Sequence, residues 1–301
     1  ISLAVVIGSI VAVATLGLNF GVDFRGGVTI EVADDEPIDL QAVREAVSGL
    51  NLGEIQVQEI KDISGASEGV VLFVEQQQVA DDAEDGAGEK AQQRASEAVQ
   101  AALRDALGDG INFRKIDVVG PAVSGELIQK GATAVAIAIA MMLLYIWFRF
   151  EWQFSVGAIL ALVHDVIITL GVFAVTRLEF SLPIIAAILT IVGYSMNDTV
   201  VVYDRVRENL RKFKQKPLAE LLDGSINDTL SRTVMTSITT LLALIALYVI
   251  GGDVLRGFTF AMIWGVLIGT YSSIFVAAPI LLAIGVKREW SKDVATTPKP
   301  A

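Results

Sequence analysis

The chain has 301 residues, is 53% hydrophobic and carries a formal net charge of −11. Its mean hydropathy of +0.59 is too high for an ordinary soluble domain, and its apolar residues cluster in long runs. Cysteine is absent, which excludes disulfides and thiolate metal sites. Because there is only one histidine, a histidine-rich metal site is also excluded, and we expect neither a metal nor a cofactor.

Six apolar segments are long enough to cross a membrane, for which about 20 mostly apolar residues are needed. The first, 1–20, is uncharged and lacks the basic start and the cleavage site of a signal peptide. We predict that it is a retained transmembrane helix whose natural start is missing, so that the chain is either truncated or part of a longer polypeptide. The other five predicted helices, in the membrane domain 126–286, are about 131–148, 154–176, 181–203, 229–250 and 258–286.

Basic residues concentrate on one side of this predicted six-helix bundle. The segments after the second, fourth and sixth spans hold 11 Lys and Arg residues, whereas the opposing short loops hold only Arg177 and Arg256. Cytoplasmic loops are enriched in Lys and Arg. We therefore predict that both termini are cytoplasmic, with a basic cytoplasmic loop at 204–228 and a cytoplasmic tail at 287–301.

The segment 21–125, between the first two spans, has the pattern of an extracytoplasmic α/β domain. It holds 21 acidic and 8 basic residues, a balance that argues against nucleic-acid binding. Predicted strands at 28–32, 55–60, 70–74 and 112–119 alternate with a helix capped by Asp39 and a helix at 91–107. The order strand, helix, strand, strand, helix, strand predicts a ferredoxin-like α+β fold. The domain has no His and no phosphate-binding glycine loop, so we interpret it as a binding or docking module.

One acidic side chain, Asp198, lies in the stretch GYSMNDTVVVYDRVREN near the end of the fourth span. A charge at the bilayer centre costs about 2.5–3.5 kcal/mol on insertion scales, which makes Asp198 a candidate functional residue in the cytoplasmic half. Arg232, at the start of the fifth span, has a similar depth if the two spans are antiparallel. We hypothesise that the two side chains pair. The alternatives are an Asp198 hydrated from the cytoplasm and an Arg232 that snorkels to the interface.

Further polar residues accompany this pair. Thr229, Arg232, Thr236 and Thr239 are spaced 3, 4 and 3 apart, which predicts a polar stripe on one face of the fifth span. In the third span, His164 and Asp165 are adjacent and serve either proton transfer or hydrogen bonding between helices.

Small residues recur four apart in two of the predicted spans, a spacing that predicts close helix packing in lipid. They are Ala132, Ala136 and Ala140 in the second span, and Gly265, Gly269 and Ser273 in the sixth.

Enzymatic functions find no support in these residues. Asp165 and Asp198 lack the Tyr-Asp and Gly-x-Gly-Asp contexts of intramembrane aspartyl proteases. The sequence also has no plausible nucleophile elbow and no P-loop for ATP-driven transport. We therefore predict that the chain is not an enzyme.

Several motifs together resemble the SecF branch of the SecD/SecF family of Sec translocon accessory subunits. They are GVDFRGG at 21–27, VGPAVSGEL at 119–127, the stretch 193–209 quoted above and SRT at 231–233. The resemblance covers nearly the whole chain, the combination is highly specific, and the short insert favours SecF over SecD. It implies a multi-pass protein of the bacterial cytoplasmic membrane, similar to resistance-nodulation-division transporters, that uses the proton-motive force with SecD to assist export through SecYEG. Whether the chain is a separate subunit or half of a fused SecDF stays open.

The resemblance also implies site residues and partners. In SecF-like proteins the Asp of the NDT motif and the Arg of the following span are linked to proton conduction, and they match Asp198 and Arg232, with Thr236 one turn on. Asn197 and Thr199 are candidate supporting residues because they flank Asp198 in the motif. His164 and Asp165 are candidates too, but the resemblance implies nothing about them. The expected partners are SecD, SecYEG, a translocating preprotein, membrane lipids and protons. Two alternatives are open: a half-transporter of lipids or small molecules, and a scaffold in which Asp198 and Arg232 only lock helices together.

Overall fold

The computed structural model describes residues 1–34, 38–61, 67–77, 86–108, 110–251 and 253–286. The predicted tail at 287–301 lies outside them. Two compact units are present, one formed by Ile1–Asn19 with the chain from Ala134 onward, the other by Phe20–Thr133.

The first half of the chain holds most of the strands. Its elements are α1 (Ser2–Leu16), β1 (Asn19–Phe20), α2 (Val22–Arg25), β2 (Gly27–Ala33), α3 (Leu40–Ser48), β3 (Ile55–Lys61), β4 (Ser67–Val74), α4 (Ala87–Leu107) and β5 (Asn112–Val119).

The second half is almost entirely helical. Its elements are α5 (Pro121–Arg149), α6 (Trp152–Thr176), β6 (Glu179–Phe180), α7 (Leu182–Lys212), α8 (Leu218–Ile250), α9 (Asp253–Ser272), a π-helical segment (Ser273–Ala277) and α10 (Ala278–Ile284).

The unit Phe20–Thr133 contains a four-stranded sheet of order β3-β4-β2-β5, in which all neighbouring strands are antiparallel. The central strand β2 places Val28, Ile30 and Val32 in the core, because alternate residues of a strand point to the same face. Buried valine and leucine residues of α3 and α4 complete this core. The predicted cap of α3 is confirmed, since the backbone N–H of Gln41 donates to Asp39 Oδ1 at 2.8 Å.

Five helices in the described chain are long and apolar enough to cross a membrane: Val123–Arg149, Trp152–Thr176, Leu182–Lys212, Leu218–Ile250 and Leu255–Ile284. The predicted first span, 1–20, is a helix of 15 residues that ends at Leu16, where Gly17 takes a φ of 65°. At 1.5 Å per residue it is roughly 22 Å long, shorter than a hydrocarbon core of about 30 Å.

The predicted cytoplasmic loop 204–228 is wrong in extent. α7 continues to Lys212 and α8 begins at Leu218, directly after Pro217. Charged residues end an apolar window but not a helix, since Arg, Lys and Glu favour the helical state. The extensions are joined by Arg205, whose guanidinium contacts Asp228 Oδ2 at 2.9 Å.

The predicted limits of two other spans also need correction. The predicted second span is part of α5, which begins at Pro121 rather than near 131. The polar residues before the apolar run are helical too. The predicted sixth span at 258–286 is α9, the π-helical segment and α10, which ends at Ile284.

Helices α6 and α7 lie at the centre of the helical unit, with 56% and 50% of their most apolar windows buried, against 6% for α5 and 11% for α8. α9 packs closely against α7 at two glycines. A Cβ on Gly265 would collide with the Ile191 side chain, and one on Gly269 would lie 3.0 Å from Ser195 Cβ. The close packing predicted for the sixth span is therefore confirmed, whereas Ala132, Ala136 and Ala140 are exposed in this chain.

The variant Gly265→Ala should lower the free energy of unfolding by about 1–3 kcal/mol, the usual cost of overpacking. Gly193→Ala on α7 is the matched control, because an added Cβ there meets nothing within 4 Å. Thermal unfolding of the purified protein, followed by tryptophan fluorescence, measures both variants. Equal losses in Tm would contradict this account of the α7–α9 contact.

Candidate functional site

Asp198 on α7 is 8% exposed and is held by hydroxyl groups of two other helical segments. Thr233 of α8 donates to Oδ1 at 2.6 Å, and Ser273 of the π-helical segment donates to Oδ2. Both oxygens of the carboxylate thus have donors, as a buried charge requires, and neither donor is a cation.

The hypothesised pairing of Asp198 with Arg232 is not made in this structure. Arg232 is exposed on α8, and the ion pairs found among the described residues do not include it. Its neighbour Thr233 binds Asp198 instead. Consecutive residues of an α-helix point about 100° apart, so depth alone does not decide which one meets the carboxylate.

The predicted polar stripe of α8 also lies on a different face from the one that is buried. The buried polar residues of α8 recur every four positions: Ser225, Thr229, Thr233 and Ser237. Of the predicted stripe only Thr229 belongs to this set, while Arg232, Thr236 and Thr239 are exposed. Thr236 Oγ1 donates to the Arg232 carbonyl at 3.0 Å.

Asp165 on α6 is a second buried carboxylate, only 1% exposed. Its Oδ2 accepts hydrogen bonds from Ser195 of α7 at 2.5 Å and from Ser272 of α9 at 2.6 Å. Its Oδ1 lies 2.9 Å from His164 Nδ1. α6 therefore contributes its acid to a contact among three helices.

His164 is 6% exposed and stacks on Tyr271, with ring centroids 6.2 Å apart and an interplanar angle of 23°. Tyr271 is in turn fixed by Ser2 of α1, whose Oγ lies 2.7 Å from the Tyr271 hydroxyl. The other ring nitrogen, Nε2, is buried and has no hydrogen-bond partner. The ring is thus anchored on one nitrogen only.

The two carboxylates meet at consecutive serines. Ser272 binds Asp165 and Ser273 binds Asp198, where α9 passes into the π-helical segment. On α7, Ser195 and Asp198 are three residues apart and so share a face. We call Asp165, Asp198, Ser195, Ser272, Ser273 and Thr233 the carboxylate cluster.

Of the remaining candidates, Asn197 is exposed, and Thr199 is buried with Oγ1 donating to the Ser195 carbonyl at 3.1 Å. Sequence reasoning missed four hydroxyl residues of the carboxylate cluster: Thr233, Ser195, Ser272 and Ser273. The available signal was their position within apolar helices, most clearly the consecutive serines in GTYSSIF.

Comparison with known proteins decides the family. A model of the C-terminal part of the protein export membrane proteins SecD/SecF matches residues 98–287, and a model of the SecD/SecF GG motif matches residues 11–33. The chain belongs to the SecD/SecF family. It is therefore a multi-pass membrane protein and an accessory subunit of Sec-dependent translocation.

Relatives within the SecD/SecF family are similar over most of the chain. The protein translocase subunit SecF of Cereibacter sphaeroides is 47% identical over 93% of this chain and 84% of its own. The one from Rickettsia prowazekii is 40% identical over 97% of this chain and 89% of its own. With relatives so named, the half-transporter alternative is not favoured.

Solved SecDF structures are similar in fold. The crystal structure of SecDF, a translocon-associated membrane protein from Thermus thermophilus, has a TM-score of 0.78 and 35% identity over 94% of this chain. A SecDF structure in a super-membrane-facing form gives a TM-score of 0.65 and 34% identity over 98% of it. The chain spans only 37% and 38% of those two chains.

The backbone conformation explains why the SecD/SecF motif has glycine at two consecutive positions. Gly26 and Gly27 have φ angles of 71° and 116°, where a side chain is strained. A Cβ on Gly27 would also collide with the Val74 carbonyl. The motif thus permits close pairing of β2 with β4.

Replacing Thr233 with Val should destabilise the protein by about 1–3 kcal/mol, because it leaves Asp198 Oδ1 buried without its donor. The control is Thr236→Val, since that hydroxyl is exposed and binds only carbonyls of its own helix. Thermal unfolding of both variants at neutral pH is the measurement. If Thr236→Val proved as harmful as Thr233→Val, the assignment of Thr233 to Asp198 would be wrong.

Proposed function

We propose that the chain is a non-enzymatic subunit of a SecDF-type complex that uses the proton-motive force to assist protein translocation through SecYEG. The observation that carries this proposal is Asp198, a buried carboxylate of a SecD/SecF-family protein that is held by hydroxyl donors instead of a cation. Such a carboxylate is free to gain and lose a proton without breaking an ion pair.

The surrounding hydroxyls suit two protonation states. Ser273 Oγ has the Thr270 carbonyl as a second acceptor at 3.0 Å. When Asp198 is protonated on Oδ2, its new O–H donates to Ser273 Oγ and Ser273 turns its own hydrogen to this carbonyl, so no donor is left unsatisfied. Protonation therefore replaces a bond to a charged carboxylate by a neutral bond of reversed direction and a bond within one helix. This is a two-state element of the kind that a switch requires.

The free energy available from the membrane potential can be compared with that of the hydrogen bonds at Asp198. Moving one proton across the membrane potential releases about 2.3 kcal/mol per 100 mV. A net hydrogen bond to a charged group contributes about 1.5–3 kcal/mol. One proton per cycle is thus comparable in energy to the hydrogen bonds that Asp198 makes and breaks.

Arg232 has a different place in this proposal. It lies on the exposed side of α8 with Thr236 and Thr239, and an arginine facing lipid at depth is costly. We assign this face to the SecD half of the complex, where Arg232 and Thr236 extend the proton path across the subunit interface. The translocating preprotein and SecYEG are further partners, and lipids cover the remaining apolar faces.

The topology belongs to the same proposal. α1 is the first of six spans, both termini are cytoplasmic, and the insert at 21–125 is an extracytoplasmic ferredoxin-like domain of this cell inner membrane protein. The strand order β3-β4-β2-β5 with all pairs antiparallel supports the ferredoxin-like assignment. The basic residues around Arg149, Arg207 and Arg211 support the orientation.

Replacing Asp198 with Asn should abolish the dependence of export on the proton-motive force while the complex still assembles, because the amide cannot exchange a proton. Preprotein translocation into inverted membrane vesicles, with and without an imposed proton gradient, measures this. Co-purification of the partner half is the control for assembly. Export that still responds to the gradient in Asp198→Asn would overturn the proton role.

Replacing Arg232 with Gln should reduce gradient-dependent export at least about a hundredfold, because a positioned proton-transfer group contributes about 10²–10⁴-fold. The Tm of the isolated chain should stay unchanged, because the side chain is exposed there. A lower Tm together with normal export would show that Arg232 stabilises this chain and does not serve the proton path.

A further inference from the structure

The His164–Asp165 pair is a second buried ionisable site that the proposed function does not use. Asp165 receives three contacts, from His164, Ser195 and Ser272. Burying an isolated charge costs several kcal/mol of desolvation free energy, even after the surrounding protein relaxes. Of these three contacting groups, the imidazole alone can carry a compensating positive charge.

Other charges near the pair do not compensate it. α1 contains no ionisable side chain, and α7 presents Asp198, which is itself acidic. α9 contributes Tyr271, stacked on the ring, while Arg256 lies about 24 Å from Ser272 along the helix axis at 1.5 Å per residue. Within the described part of the π-helical segment and α10 there is no charged residue. A neutral ring beside an ionised carboxylate leaves one negative charge, so the pair reaches neutrality by taking up one further proton.

The free ring nitrogen gives that proton an exchange position. His164 Nε2 is buried without a partner, although buried polar atoms are nearly always satisfied. A proton that binds Nε2 forms a new N–H bond, and the Nδ1–H bond then breaks as its proton passes to Asp165 Oδ1 at 2.9 Å. Charge and proton number balance, and the carboxyl ends protonated beside a neutral ring.

We propose that the His164–Asp165 pair is a second proton-exchange site, coupled to Asp198 through the consecutive residues Ser272 and Ser273. Ser272 has a second acceptor, the Gly269 carbonyl at 3.2 Å, just as Ser273 has the Thr270 carbonyl. Protonation of Asp165 releases Ser272 to its own helix, directly beside the serine that holds Asp198. This inference rests on the proposed function, because it gives the proton path a second station in the same chain.

The single histidine makes the pair directly observable. With ¹⁵N-labelled histidine, every ring signal of the purified protein in lipid comes from His164. As the pH is lowered, the ring proton should move from Nδ1 to Nε2 in the parent protein, and this change of tautomer should be lost in Asp165→Asn. A ring that keeps its proton on Nδ1 throughout in the parent protein, or that responds identically in Asp165→Asn, overturns the proposal.

A second measurement separates proton exchange from a purely structural role. In His164→Asn the amide can still donate to Asp165 but cannot accept a second proton. Proton flux through the intact complex in vesicles should fall at least about a hundredfold, since a proton-transfer group contributes about 10²–10⁴-fold. Thr169→Val is the matched buried control, because that hydroxyl donates to the Asp165 backbone carbonyl, and its flux should be unchanged. Normal flux in His164→Asn overturns the proposal.

The two hypotheses fail in different ways. If Asp198→Asn conducts protons normally, the proposed function is wrong, whatever His164 does. If Asp198→Asn blocks flux while His164→Asn does not, the proposed function stands and the second site is rejected. If both variants block flux and the ring signal depends on Asp165, both are supported.

Discussion

The structure of the helical unit depends on supplying hydrogen-bond donors to two carboxylates that contact no arginine or lysine among the described residues. Serine and threonine side chains are short, so their hydroxyls reach a carboxylate on another helix only where the backbones approach closely. Gly265 and Gly269 provide that approach between α7 and α9. Close packing and polar satisfaction are therefore one requirement, and a bulky residue at either glycine would separate the hydroxyls from their acids as well as the helices.

The π-helical segment after Ser272 begins where two consecutive serines contact carboxylates on two different helices. An α-helix presents one stripe of residues to one neighbour, but α9 and the π-helical segment contact both Asp165 on α6 and Asp198 on α7. Consecutive residues point in different directions, and Ser272 and Ser273 use this divergence to bind one acid each. π-Helical turns occur frequently at functional sites, and here the segment begins at the second of the two serines.

Local patterns in the sequence predicted much of this architecture. The apolar runs located the membrane helices, Asp39 marked the start of α3, and the isolated acid in GYSMNDT identified Asp198. The predictions that failed at the site were those that depend on how a helix is rotated about its axis. Arg232 and Thr233 have nearly the same depth, and charge favoured Arg232, yet Thr233 binds the acid. Arg205 and Asp228 were also predicted to lie in a loop, because they fall between two apolar runs. They instead join two helix extensions.

The rotational setting of α8 has a mechanical consequence for the proposed cycle. Thr233 faces Asp198 inside the chain, and Arg232, one residue earlier, faces outward. Protonation of Asp198 removes the negative charge that Thr233 donates to, which weakens the bond that fixes α8 against α7, since hydrogen bonds to charged groups are roughly twice as strong as neutral ones. α8 is then freer to rotate or slide, and any such movement displaces Arg232 on the other face. A proton bound inside this chain is thereby communicated to a neighbouring subunit by one rigid helix.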